Sequence, residues 1–347
     1  MHWGLGGELA GGAAAVGLNG NGARVRTLVW GAATTTKRAN AVRVAVVDIG
    51  TNSTRLLVAD VEEGEVHEVE RRTTVTNLGR GVGHTDTLCS EAIDSVCDVV
   101  ADYKARYQEL DVERVLAIAT SAVRDAHNGE AFIAELRERF ELDARLLTGE
   151  EEAHLTYLGA TAQRSGEETT LVFDIGGGST ELIVGQGKEV DFHTSLQAGT
   201  IRHSERYLTA DPPHPHELEE LADDVRSLIA EAIRDRPDGE GVTAIAVAGT
   251  PTSLAAIDQE LEPYDPQRVH GHRLGMRPIQ LMLSRLASQP LAERLRIPGL
   301  HPGRAPTIVA GAVILVQVMR AFNLSEIEVS ERDILHGSAL SAALAPA

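Results

Sequence analysis

Residues 43–49, RVAVVDI, form a β-branched run that carries Asp48 near its end, followed by GTNST and a second apolar stretch, RLLVADV. Residues 171–184, LVFDIGGGSTELIV, repeat the arrangement. With Asp48 set against Asp174, seven of the eleven positions through Val58 and Val184 are identical. Each copy reads as strand, tight turn and strand, with a carboxylate where the first strand ends. The small residues beyond it leave backbone N–H groups free to converge on an anion. A single Gly-rich hairpin is usually only a turn. Two matched copies instead predict two similar lobes, each bringing such a loop to a shared site.

The rest of the chain accommodates two α/β lobes, and 347 residues suffice for two at roughly 100 to 200 residues each. In the first, a helix from about Ser90 to Tyr107 precedes a strand at Val115–Ala119, then TSAVRDA, a helix ending near Phe140, the short strand ARLL, and a helix over Thr148–Arg164 that opens with GEEEAH. In the second, His216–Arg234 is an amphipathic helix, AIAVAG at 244–249 a buried strand, and TPTSLAAI a helix start. Thr307–Phe322 is apolar on nearly all sides, as a helix buried between layers would be, and IEVS and a final helix after Glu331 close the chain. The expected division is 43–160 with the C-terminal helix at about 323–347 as lobe I, and 161–322 as lobe II. Residues 1–42 are rich in Gly and Ala, have Glu8 as their only acid, and are expected to be a disordered extension that adds nothing to the fold.

Composition narrows the function. Aromatic residues make up only 3%, too few for stacked-ring recognition of sugars or single strands. Thirty-two basic residues against 51 acidic ones leave a net charge of −19, which opposes nucleic-acid binding. Cys89 and Cys97 are too few for a disulfide framework and fit a reducing cytoplasm, with Cys97 on the apolar stripe of its helix. The longest apolar run, Ile308–Val316, stops at Gln317, short of the ~18 to 20 residues a membrane span needs. His270 with His272, and His214 with His216, lack a third ligand at metal-binding spacing and are read as structural. Arg202, Arg206, Arg268 and Arg273 are candidates for a local basic path to a polyanion.

Taken in order, VVDIGTNSTRLLV, AIATSAVRDA, LLTGEEEAHLTYLG, LVFDIGGGSTELIV and AVAGTPTSLAAI resemble the Ppx/GppA family of exopolyphosphatases and guanosine pentaphosphate phosphatases, within the actin-like ATPase superfamily. VHGHRL and SERDILHG look familial too. The resemblance runs from about residue 43 to the C-terminus. It implies two ribonuclease-H-like lobes around a cleft, Mg²⁺ or another divalent cation, and removal of a terminal phosphate from polyphosphate or guanosine pentaphosphate. One departure stands out: where the family commonly has Arg after the EEA segment, this chain has His154.

Hydrolysing a phosphoanhydride needs positioning, charge neutralisation and a water-activating group. The phosphate-binding candidates are Gly50, Thr51, Asn52 and Ser53 in the first loop, Gly176, Gly177, Gly178, Ser179 and Thr180 in the second, and Gly249 and Thr250 in the third. Asp174 leads the Mg²⁺ candidates, followed by Glu181 and Asp48. Arg124 would clamp the terminal phosphate in a planar fork. Glu150, Glu151 and Glu152 would by themselves suit the positive end of a helix dipole. The resemblance aligns Glu152 with the catalytic glutamate and leaves Glu150 as the reserve. A sugar kinase, a chaperone-like ATPase or a filament-forming relative would share the loops but need an adenosine pocket, for which AGTPTSLAAI offers no evident base-recognising group. A symmetric dimer is the default expectation for an enzyme of this size.

Overall fold

The computed structural model describes residues 13–18, 24–31, 36–164, 166, 168–234 and 242–344. The first lobe holds β1 (Ala13–Leu18), β2 (Arg24–Trp30), β3 (Val42–Ile49), β4 (Ser53–Glu62) and β5 (Glu65–Val75). Helices α1 (Val82–Thr85) and α2 (Ser90–Glu109), strand β6 (Arg114–Ala119), helices α3 (Ser121–Asp125) and α4 (Gly129–Phe140), and strand β7 (Ala144–Leu146) follow. Helix α5 (Gly149–Thr161) leads into the second lobe, with β8 (Thr169–Ile175), β9 (Thr180–Gln186), β10 (Glu189–Leu196), α6 (Thr200–Tyr207), α7 (Pro215–Ala232) and β11 (Thr243–Val247). Then come α8 (Gly249–Asp258), α9 (Pro266–Val269), β12 (Arg273–Gly275), α10 (Met276–Ser288), α11 (Leu291–Arg294), α12 (Ile308–Ala321), β13 (Glu326–Val329) and α13 (Ile334–Leu344).

The duplication read from the motifs extends to whole sheets. Their orders are β1-β2-β5-β4-β3-β6-β7 and β10-β9-β8-β11-β13-β12. In each, three antiparallel strands in series adjoin two parallel ones: β5-β4-β3 with β6 and β7, and β10-β9-β8 with β11 and β13. That is the ribonuclease-H-like order twice over. The central strands β3 and β8 read as almost continuous apolar runs because both of their faces are covered. Ala45, Val47 and Ile49 pack toward α2 and α4, while Val44 and Val46 face α13. On β8, Leu171, Phe173 and Ile175 join the large core around α12, and Val172 faces α5. Cys97 is buried within the α2 stripe, and burial pushes its thiol up to about 11, so it is inert at neutral pH. Among the described residues no helix is long and apolar enough to cross a membrane.

Three expectations about domain limits need correction. Strand β13 pairs with β11 and β12, so residues 326–329 belong to the second sheet and only α13 returns to the first lobe. Helix α5 is not confined to lobe I: Ala153, Tyr157 and Ala160 pack on Val172, Ile183, Ile245 and Val247 of lobe II, while Leu155 and Leu158 pack on lobe I, so it bridges the two. Residues 1–42 do contribute: β2 pairs antiparallel with β5 from Thr27↔Thr74 to Trp30↔Arg71, and the Thr27 and Thr74 hydroxyls meet at 2.9 Å. Residues 1–12, 19–23 and 32–35 of that segment lie outside the described residues.

Helices α5 and α13 cross between the lobes at two glycines. A Cβ on Gly159 would stand 1.9 Å from the Asp333 carbonyl oxygen, and one on Gly337 would stand 1.9 Å from that of Leu155. Only glycine allows backbones this close. The crossing sets the start of α13, and with it the Asp333 backbone, against the last turn of α5.

Candidate active site

The two matched loops face each other. Each is closed by the same turn, Gly50 N to Ser53 O at 3.1 Å and Gly176 N to Ser179 O at 2.9 Å. These two glycine amides are therefore committed and cannot serve as anion donors as expected. The amides of Thr51, Asn52, Gly177 and Gly178 enter none of the hydrogen bonds found among the described residues. A Cβ on Gly177 would stand 2.9 Å from Thr51 Cγ2 and 3.2 Å from Asn52 N, so the bare glycine lets the loops touch. Thr51 Oγ1 also meets Ser121 Oγ at 2.8 Å.

Strand register decides the electrostatics. In lobe I, Asp48 lies opposite Arg55, and Asp48 Oδ2 accepts from Arg55 Nε at 2.7 Å. Arg55 Nη1 continues to Asp333. In lobe II the aligned cross-strand pair is Asp174 opposite Glu181, two acids where the first copy has an acid and a base. Like charges directly opposite on a sheet repel. Burial, reinforced by Asp333, Glu152 and Asp48, pushes Asp174 up to about 7 against the pull of Arg55. Glu181 is raised well above the usual carboxylate range by burial and by Glu152 and Asp174, although it accepts from Ser179 Oγ at 2.7 Å and Ser195 Oγ at 2.9 Å. Asp48 Oδ1 is buried without a partner.

Three consecutive glutamates take three different positions at the start of α5. Glu151 completes a capping box: its amide donates to Thr148 Oγ1 at 3.2 Å and its carboxylate accepts from Thr148 N at 2.9 Å. Glu150 is exposed and lines neither cavity of the cleft, which removes it as the reserve base. Glu152 is buried and faces the loops. Its carboxylate accepts from Arg124 Nη1 at 3.1 Å, and burial raises its proton affinity against the opposing pull of that guanidinium. Arg124 also donates to the Leu147 carbonyl at 2.9 Å, so it stands behind Glu152 and does not line the cavity.

Asp48, Glu152, Asp174 and Glu181 all line one small cavity of about 80 Å³ with Gly50–Ser53, Gly176, Gly177 and Ser179. Arg55, Ala248, Gly249 and Arg304 line both this cavity and an adjoining chamber of about 690 Å³, a volume in the range of ordinary ligand sites. Several other candidates fall elsewhere. Thr180 Oγ1 donates to the Ala198 carbonyl at 2.5 Å, Gly178 does not line the cavity, and Thr250 packs toward Gly311 of α12. The four-arginine basic path is not formed: Arg202 pairs with Asp125 at 2.8 Å, Arg206 with Asp224 at 3.7 Å and Arg273 with Glu326, and none of the four lines the cavity or the chamber. His154 is exposed on α5. His272 pairs with Asp258 at 2.9 Å, and His214 and His216 stack on each other.

Arg55, Arg304 and Asp333 were not singled out by sequence reasoning. Arg55 and Asp333 had a signal: Arg55 is the residue aligned with Glu181 in the duplication, and Asp333 lies in SERDILHG. Arg304 follows no strand or helix periodicity and had none. It is the notable cation here, because among the described residues it has no ion-pair partner while burial and Arg55 disfavour its charge.

Two ribonuclease-H-like lobes closing paired glycine loops over buried carboxylates define the class of fold and site. Residues 57–345 match the model of the Ppx/GppA phosphatase family. The chain is 36% identical over 315 residues to exopolyphosphatase 2 of Mycobacterium tuberculosis, covering 87% of this chain and 98% of that protein. It is 25% identical over 280 residues to a guanosine-5'-triphosphate,3'-diphosphate pyrophosphatase of Photobacterium profundum, covering 81% of this chain and 55% of that one. Among solved structures, an exopolyphosphatase-like protein superposes with a TM-score of 0.83 at 33% identity over 87% of this chain and 98% of that one. The Aquifex aeolicus family member gives 0.74 at 31% identity over 87% of this chain and 97% of that one. The chain belongs to the Ppx/GppA phosphatase family.

Proposed function

We propose that this protein is an exopolyphosphatase that removes the terminal phosphate of linear inorganic polyphosphate. The observation that carries the reading is the position of Glu152, a buried carboxylate facing two loops whose unpaired amides are suited to phosphate oxygens. The amides of Thr51, Asn52 and Gly177 would hold the terminal phosphoryl group, and Arg304 and Arg55 would face the next part of the chain. Glu152 would take the proton from an attacking water as the new P–O bond forms. The bridging P–O bond then breaks, and the shortened chain leaves as an anion beside the arginines. Arg124 positions Glu152 and opposes the effect of burial on it.

The donor set also suits a hard divalent cation. Among the described residues no three acidic, His or Cys side chains are set to hold a metal by themselves. Mg²⁺ does not require such a cage, since it takes one or two carboxylates and completes its shell with water and phosphate oxygens. The unpartnered Asp48 Oδ1 and the repelled Asp174 are the fitting ligands, whereas Oε1 of Glu181 already accepts from two hydroxyls. Bound there, Mg²⁺ would neutralise charge on the phosphoryl oxygens. Asp174→Asn should therefore shift the Mg²⁺ titration of activity to higher concentration and lower turnover; an unaltered titration would remove Asp174 from the site. Competition kinetics with polyphosphate and guanosine pentaphosphate on one purified sample test the substrate. Polyphosphate should have the higher kcat/KM, and the reverse order would assign the site to the nucleotide.

A further inference from the structure

The 690 Å³ chamber has a wall that comes from outside the residues matched to the family model. Strand alternation turns Leu28 and Trp30 of β2, with Arg71, Thr73 and Val75 of β5, toward the chamber. The opposite wall comes from lobe II and includes Tyr264 and Arg304. Trp30 and Tyr264 touch across the cleft with ring centroids 5.7 Å apart at 59°, so the two walls meet there. Tyr264 is fixed by donating to Glu331, which also binds Arg71 of the opposite lobe.

Charge is distributed unevenly along this space. Where the chamber joins the small cavity it presents Arg304, without an ion-pair partner among the described residues, beside Arg55, which is itself paired with Asp48 and Asp333. Beside the ring contact stands Arg71, opposite Trp30 in the strand register and already neutralised by Glu331, and the surface there is Leu28, Trp30 and Tyr264, while Arg296 and Glu262, of opposite sign, also line the chamber. An anionic chain gains at the first end and loses hydration without compensation at the second.

We propose that β2 is a chain-length selector. The chamber holds the non-reacting phosphates next to the scissile bond, and the Trp30–Tyr264 contact stops longer chains from extending past it. This rests on the polyphosphate reading above and adds to it the location of the remaining substrate and the residues that limit it. Neither ring is assigned to the reacting groups.

The test is kcat/KM of the full chain for tripolyphosphate and for a long-chain polyphosphate, in wild type, Trp30→Ala, Tyr264→Leu and Trp30→Phe. Removing a wall of this size should raise the long-to-short ratio about tenfold in Trp30→Ala, the scale of discrimination that one pocket contact supplies. Tyr264→Leu should move the ratio the same way from the other lobe, which keeps the test valid if Trp30→Ala fails to fold. Trp30→Phe retains a ring and should stay near wild type. An unchanged or lowered ratio in both opened variants would overturn the selector. A parallel fall with both substrates would reduce β2 to a structural strand and overturn it equally. If wild type released no phosphate from either substrate, the polyphosphate reading itself would fall, and this inference with it.

Discussion

Replacing Glu152 with Gln should lower kcat by ~10² to 10⁴, the usual loss when a general base is removed, while substrate binding survives. Gln keeps the shape of the side chain and can still accept from Arg124, so a large drop in turnover without a matching rise in KM would isolate the proton transfer. Glu150→Gln should leave turnover at the wild-type level, because Glu150 is exposed and outside both cavities. Arg124→Lys should behave differently again. It keeps a charge but loses the planar guanidinium whose Nη1 reaches both Glu152 and the Leu147 carbonyl, so the base is misplaced and kcat falls less steeply. Steady-state kinetics on the three variants separate these roles. Full turnover in Glu152→Gln would mean that the buried carboxylate is not the base.

The second large effect is expected at the helix crossing. Gly159→Ala would gain about 1 kcal/mol of helix propensity, yet its Cβ would stand 1.9 Å from the Asp333 carbonyl oxygen and 2.8 Å from Gly337 N. Both are backbone atoms and cannot swing aside, so the helices must separate. Overpacking of this kind costs about 1–3 kcal/mol or more, which outweighs the propensity gain. Separation would also displace Asp333, whose carboxylate holds Arg55 against the site. Thermal denaturation should show a lower Tm, accompanied by reduced activity in the folded fraction. A Tm at or above wild type would show that the crossing tolerates a wider spacing.

Much of this architecture was legible because its strongest elements are locally encoded. Strands β3 and β8 announce themselves by apolar residues on both faces, and the matched loops follow at the same offset in each copy. The edges of the first sheet were not legible. Strand β5, EVHEVERRTTV, is dense in charge, and beyond the pairs within the strand its burial depends on distant partners: Glu70 on Arg106 and Arg71 on Glu331. Strand β2 owes its place to pairing with β5, so a segment that reads as unstructured alone becomes a wall of the chamber. The three glutamates of α5 show the same limit at the site. Sequence places them together at a helix start, but the helical turn determines which one is exposed, which caps and which is buried. Arg304 lies in a loop between helices, and only the folded lobe places its guanidinium beside Gly249 at the mouth of the cavity.

The central claim is hydrolysis of an inorganic chain without nucleotide. Its most direct test is orthophosphate release by the purified protein from long-chain polyphosphate with Mg²⁺ and no nucleotide present. The account predicts steady release that is abolished by chelating the cation and reduced by Glu152→Gln. No release from polyphosphate, together with phosphate release from guanosine pentaphosphate or phosphoryl transfer that depends on ATP, would contradict it.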